Sequence, residues 1–306
     1  MRLALKVDVD TLDGTRSGVP ELLRLFDRHK VRATFLFSLG PDHTGRALRR
    51  IFRPGFFAKV RRTSVVSHYG WRTLLYGTLL PGPDIGRRAA DVMRSAARAG
   101  HEVGVHCFDH VLWQDHVAGK SPAWTRRQLL LARERFEEIF GRPAAVHGAA
   151  GWQMNPSAYA LEAELGFRYA SDTRGRCPYQ PVIDGVEAGC PQLPSTLPTL
   201  DELIGRDDLR DATPEATLSQ ATERGLASGH VFTLHAEIEG GQLRDTFDGL
   251  LSTWKAQGYA VGTLEESHAA LDVAKLPRCL TAYGSVPGRS GTLAVQGGEA
   301  ASRSAS

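Results

Sequence analysis

His101-Glu102-Val103-Gly104-Val105-His106-Cys107-Phe108-Asp109-His110 reads as a short β-like run that delivers two histidines four residues apart. Imidazoles placed just beyond a strand end can point two nitrogens at one metal ion, and such a pair needs an anionic third ligand. The N-terminus offers one in Val7-Asp8-Val9-Asp10-Thr11, which ends a second β-rich run, 2–9. An H-x-x-x-H pair is common among ordinary histidines, so its position carries the weight. Both histidines and both aspartates fall at predicted strand ends, and in a parallel β/α barrel the strand C-termini share one face.

Working outward, short strands alternate with helices. A polar, Gly-containing loop (11–18) leads to a helix begun near Pro20, with Leu22, Leu23, Leu25 and Phe26 as its apolar face. Strand 31–39 follows, and then helix 84–99 stopped by Gly100. Beyond the histidines come a polar loop (113–122), an amphipathic helix to Phe140-Gly141 and strand 144–147, which opens into Gly148-Ala149-Ala150-Gly151-Trp152. Helix 156–165 and strand 167–170 precede a loop-rich region, 171–212. Helix 214–227, strand 230–236, helix 243–257, strand 259–262 and helix 264–272 complete the regular part. About seven strands in this order predict an α/β fold with a mostly parallel sheet, closed or nearly closed into a (β/α) barrel. That arrangement gathers Asp8, Asp10, His106, His110, His147, Asp172 and His235 at one end. The barrel is expected over residues 1–283 with an insertion at 41–82. The Gly/Ser/Ala-rich stretch 284–306 reads as a mobile tail.

The chain has 306 residues, 42% of them hydrophobic and 23% charged, which is enough for one large core. Its formal charge of +3 is unevenly spread. Residues 41–80 carry Arg46, Arg49, Arg50, Arg53, Lys59, Arg61, Arg62 and Arg72 against Asp42 alone, a net of +7 that leaves −4 elsewhere. Within this segment Leu48, Ile51 and Phe52 fall at helical spacing among the cations, and Pro54-Gly55 breaks the pattern. Phe56, Phe57 and Val60 resume an apolar face, and Trp71 begins a further apolar stretch that closes at Pro81. That is the composition of an amphipathic basic helix lying on a lipid surface, where each cation contributes up to ~1 kcal/mol near anionic lipid. The plainer alternative is a cover helix packed on the barrel with solvated arginines. Nucleic acid is not expected, because the charge is local and the aromatics cluster with aliphatics. Four cysteines without CxxC spacing read as reduced cytosolic thiols. No secretory h-region and no apolar run of the ~18 residues that span a bilayer is visible, so the expectation is a soluble or peripheral protein.

Two histidines and a carboxylate suit a divalent metal, zinc first, with cobalt, nickel or manganese as alternatives. The ion would polarise a carbonyl and lower the pKa of water. Of Asp8 and Asp10, one can bind metal and the other act as general base. His235, in Thr233-Leu234-His235-Ala236-Glu237, is a candidate acid for a leaving group, or alternatively a buried strand-end histidine.

Asp8-Val9-Asp10, His106 to His110, the 148–152 turn and Leu234-His235 resemble successive motifs of the polysaccharide deacetylase (NodB-homology) family. The resemblance implies a distorted, incomplete barrel and metal-dependent removal of an acyl group from an amino sugar. By motif it assigns Asp8 as base, Asp10, His106 and His110 as metal ligands, His235 as acid and Asp172 as the carboxylate that orients the acid. Stretches 9–16, 38–42, 69–71, 149–152, 171–175, 197–206 and 235–240 are similar to one branch, the 4-deoxy-4-formamido-L-arabinose-phosphoundecaprenol deformylases. The wider family opens its third motif with an arginine beside the base. Here His147 stands near that position, and Arg174 is the substitute expected from sequence. The branch implies a peripheral enzyme on the cytosolic face of the inner membrane, acting on a polyprenyl-phosphate-linked formamido sugar. Its product would serve lipid A modification and polymyxin resistance. Arg49, Arg50, Arg53, Phe56, Phe57, Lys59, Trp71 and Trp152 would then meet lipid or substrate. A deacetylase acting on another glycan and a non-catalytic lipid-binding protein are the alternatives.

Overall fold

The computed structural model describes residues 1–47, 73, 75–209 and 212–300. β1 (Arg2–Val9) is the axis of the fold, buried along its length after Arg2. It pairs in parallel with β2 (Thr34–Ser38) on one edge and β8 (His230–His235) on the other. The row continues through β3 (Glu102–Cys107), β4 (Val146–His147) and β5 (Tyr169–Ala170), giving the order β5-β4-β3-β2-β1-β8. A short β9 (Ala260–Gly262) also pairs with the start of β1.

Every pairing in this sheet is parallel, as helical crossovers require. β5 and β8 do not pair. The segment 192–197 spans the gap instead. Leu193 N donates to Ala170 O at 2.7 Å, and Thr196 N donates to Val231 O at 3.1 Å. The barrel is therefore incomplete in strands and finished by irregular chain.

Helices Val19–His29, Ile85–Arg98, Pro122–Phe140, Pro156–Glu164 and Arg244–Ala256 cover the sheet. Phe26, Phe35, Phe232, Phe247 and Trp254 pack edge to face or stacked between the sheet and the first and last of these helices. All five are essentially inaccessible to water, and each such side chain contributes about 1.5–3 kcal/mol on burial.

Three expectations change. The 11–18 loop winds into a π-helical turn, Gly14–Gly18. The polar 113–122 loop is helical from His110 to His116, because Asp109 caps it by accepting from Leu112 N at 3.0 Å. The tail expected after Tyr283 carries β11 (Leu293–Glu299), antiparallel to β10 (Arg278–Gly284) in a second sheet with β6 (Gln180–Ile183) and β7 (Val186–Glu187). β11 also bonds Arg174, whose N donates to Ala294 O at 3.0 Å. That long-range pairing holds a segment whose composition alone predicts mobility.

Candidate metal centre

Asp10, His106 and His110 converge at the C-terminal end of the sheet, their ligand atoms all within 4.8 Å of one another. Asp10 follows β1, His106 lies in β3, and His110 opens the capped helix. His106 Nε2 is 3.3 Å from Asp10 Oδ1, and His110 Nε2 is 3.4 Å from Asp10 Oδ2. His106 Nδ1 donates to Gly148 O at 2.5 Å, which leaves the Nε2 lone pair of the neutral ring facing a carboxylate. Two acceptors in that arrangement call for a cation between them. Asp10 Oδ1 is buried and finds no hydrogen-bond donor among the described residues. Burial pushes the Asp10 carboxyl up, but positive charge on His110, His106 and His235 would outweigh it and hold the group well below the ordinary carboxylate range, the part that a bound cation's charge would take over from neutral imidazoles. An anionic carboxylate and two imidazoles fit a divalent ion with an open position. Gly148 is closely approached: a Cβ there would lie 2.3 Å from Leu36 Cδ1 and 3.0 Å from Lys6 Cε, so both side chains would have to give way.

Asp8 stands beside this set, with Oδ1 3.8 Å from His106 Nδ1. Its counter-charge is Lys6, two residues earlier on the same face of β1, with Nζ 3.1 Å from Asp8 Oδ2 and the side chain 0% exposed. Arg174, the cation expected here, is elsewhere. Its Nη1 donates to Glu202 Oε1 at 2.6 Å and its Nη2 to Leu197 O at 2.9 Å, because a capping box in Leu200–Leu203 presents Glu202 to it. The sequence signal missed was a lysine inside an apolar strand, spaced i,i+2 from an aspartate. Trp152, expected to touch substrate, is 1% exposed and forms a buried ring shared by three cations. Lys6 Nζ lies 5.0 Å from its centroid, and the Arg174 and Arg289 guanidinium carbons lie at 5.1 and 4.9 Å.

His235 ends β8 in register with Asp8, and its backbone N donates to Glu239 Oε2 at 2.7 Å. Asp172 does not orient it. Asp172 Oδ1 lies 3.0 Å from His147 Nδ1 and accepts from Ala149 N at 2.7 Å, while Glu162 Oε1 lies 2.6 Å from the same His147 nitrogen. These three side chains also have metal-ligand spacing, but the hydrogen bonds between them already account for their arrangement. They form a fully buried ionic knot beneath the 148–152 turn.

Burial pulls the His147 pKa down, yet Asp172 and Glu162 overcome this and raise it to about 10. A folded-state value above the unfolded one stabilises fully below about pH 6.5, the unfolded histidine value, and the gain fades as pH rises toward 10. Thermal stability should therefore fall between about pH 6.5 and 10. A His147→Gln variant, less stable at neutral pH, should show a flatter decline over that interval in a Tm-versus-pH series. Parallel slopes for the two proteins would refute this.

Glu237 is a further site residue that the sequence reading passed over. It lies two residues after His235 and bonds the chain around Asp10. The insertion residues Arg49, Arg50, Arg53, Phe56, Phe57, Lys59 and Trp71 lie outside the described residues. The insertion's base is rooted in the site. His43 Nδ1 lies 2.6 Å from Asp109 Oδ2, and Asp42 N donates to Pro83 O at 2.9 Å.

An incomplete parallel barrel with an Asp-His-His set at its strand ends defines a class. The chain belongs to the polysaccharide deacetylase family, whose sequence profile matches residues 9–170. Over 251 residues it is 38% identical to the Shewanella sediminis protein named as a probable 4-deoxy-4-formamido-L-arabinose-phosphoundecaprenol deformylase, ArnD, covering 82% of this chain and 80% of that one. It is 29% identical over 285 residues to a protein of the same name from Wigglesworthia glossinidia brevipalpis, covering 92% of this chain and 98% of that one. In fold it resembles a crystal structure from Mycobacterium smegmatis assigned to the polysaccharide deacetylases, with a TM-score of 0.60 at 18% identity, over 90% of this chain and 92% of that one.

Proposed function

We propose that this chain is a metal-dependent amide hydrolase that removes the N-formyl group from 4-deoxy-4-formamido-L-arabinose carried on undecaprenyl phosphate. The observation that carries the reading is the convergence of Asp10, His106 and His110 with Asp8 alongside and His235 on the neighbouring strand. The names of the two deformylase relatives support formyl as the group and the lipid-linked sugar as its carrier.

Asp10, His106 and His110 would hold the ion, which when bound polarises the formyl oxygen and acidifies water. Zinc suits this donor set, and cobalt, nickel or manganese would also be accepted. Asp8, kept in place by Lys6, takes a proton from the attacking water as its oxygen bonds to the formyl carbon. The carbon–nitrogen bond then breaks. His235 gives a proton to the departing sugar nitrogen, formate leaves, and the amino sugar becomes cationic near neutral pH. A cationic sugar transferred to lipid A would lower surface negative charge, in keeping with polymyxin resistance. Chelation should abolish release of formate, and adding back a divalent ion should restore it. Undiminished turnover by metal-free protein would overturn the reading.

The substrate's lipid tail places the reaction at a membrane surface, and we read the enzyme as peripheral on the cytosolic face of the inner membrane. No helix among the described residues is long and apolar enough to cross a bilayer. At the described edge of the insertion Leu79 is 82% exposed, next to the half-exposed Leu80, which supports lipid contact there. Neutralising Arg49, Arg50, Arg53 and Lys59 together should weaken binding to anionic vesicles by an amount that shrinks with added salt. Unchanged binding in sedimentation assays would favour a cover helix instead.

A further inference from the structure

We propose that Glu237 is a positioning residue for the metal ligand Asp10, acting through the backbone that follows β1. The inference rests on the reading of Asp10 as a ligand. One carboxylate oxygen, Glu237 Oε1, accepts three hydrogen bonds: from Asp10 N at 3.0 Å, Thr11 N at 2.8 Å and Thr11 Oγ1 at 2.8 Å. The first donor is the backbone of the ligand itself. Backbone amides held by a fixed acceptor set the direction of the side chain between them, and outer partners of this kind tune metal sites strongly.

The chain is folded closely around this carboxylate. Gly14 N donates to Thr11 Oγ1 at 2.9 Å, and a Cβ on Gly14 would lie 1.9 Å from Glu237 Oε1. A side chain at Gly14 would have to push the Glu237 carboxyl group off its three donors. Glu237 thus ties the end of β8, which carries His235, to the end of β1, which carries Asp8 and Asp10. It lies two residues beyond His235, so one short segment carries both the candidate proton donor and the acceptor that holds Asp10 N. Glu237 is 7% exposed, so water competes little for these bonds.

The test is metal affinity, measured with zinc against a chromophoric chelator and with cobalt by its visible absorption, on the full-length chain. Glu237→Ala is expected to weaken zinc binding about 10- to 100-fold and to alter the cobalt spectrum. Glu237→Gln, whose amide oxygen can still accept, should lose less. Thr11→Val removes one of the three donors and should weaken affinity several-fold. It also decides the matter if Glu237→Ala does not fold. Wild-type affinity and an unchanged cobalt spectrum in Glu237→Ala, or in Thr11→Val where it stands in, would overturn the proposal. A wild-type chain that binds neither ion would instead sink the metal reading itself, and this inference with it.

Discussion

His106→Ala and His110→Ala are each expected to lose stoichiometric metal and to lower kcat/KM on a formamido-sugar lipid by about 10³-fold or more. The magnitude follows from several kcal/mol of charge stabilisation lost with the ion, at about 1.4 kcal/mol per tenfold in rate. The geometry makes the two losses differ. His106 is anchored by its bond to Gly148 O, so removing it empties a preorganised position. His110 stands at the start of a helix capped by Asp109, and its loss leaves the rest of the set intact. The His110 variant should therefore retain weak residual affinity where the His106 variant retains none. Asp8→Asn leaves the buried Lys6 unpaired and should lower stability, so it is compared with wild type at a temperature where both stay folded. It should keep metal while losing about 10²- to 10⁴-fold in rate, the usual worth of a general base. Metal analysis beside steady-state kinetics checks all three, and stoichiometric metal in either histidine variant removes that residue from the set.

Lys6→Met is the second large effect. Breaking a buried ion pair leaves an uncompensated charge and costs about 3–5 kcal/mol. Lys6 is fully enclosed by sheet and Trp152, so water cannot replace it. The variant should unfold at a clearly lower temperature and lose most of its kcat, because Asp8 is no longer held. Arg174→Met is the control. It breaks the contact with Glu202 and leaves the Lys6–Asp8 pair untouched, so its kcat should fall far less. Equal kcat losses in the two variants would return Arg174 to the role that the sequence suggested for it.

These residues also show how far the sequence could be read. The strand–helix alternation and the strand-end positions of Asp8, Asp10, His106 and His235 follow from hydrophobic period and local turn chemistry, and the structure brings them to one end of the sheet. The parts that sequence reading missed depend on contacts far apart in the chain. Lys6 reads as an oddity in an apolar strand until Asp8 and Trp152 close around it. Asp172 sits where a motif would place it, yet His147 and Glu162 claim it first because all three are buried together. The last strand carries two adjacent glycines, Gly297 and Gly298, and it is held by β10 and Arg174 rather than by any local preference. Glu237 lies within the branch-like stretch 235–240, but its three bonds to Asp10 and Thr11 cross more than two hundred positions.

Removal of formyl from a lipid-linked amino sugar is read from the mass of the product. Metal-loaded protein is incubated with matched formamido and acetamido forms of the same undecaprenyl-phosphate sugar. The formyl form should lose 28 mass units, about one CO, with appearance of formate, and the acetyl form should change little. Turnover of the acetyl form alone would contradict the deformylase reading.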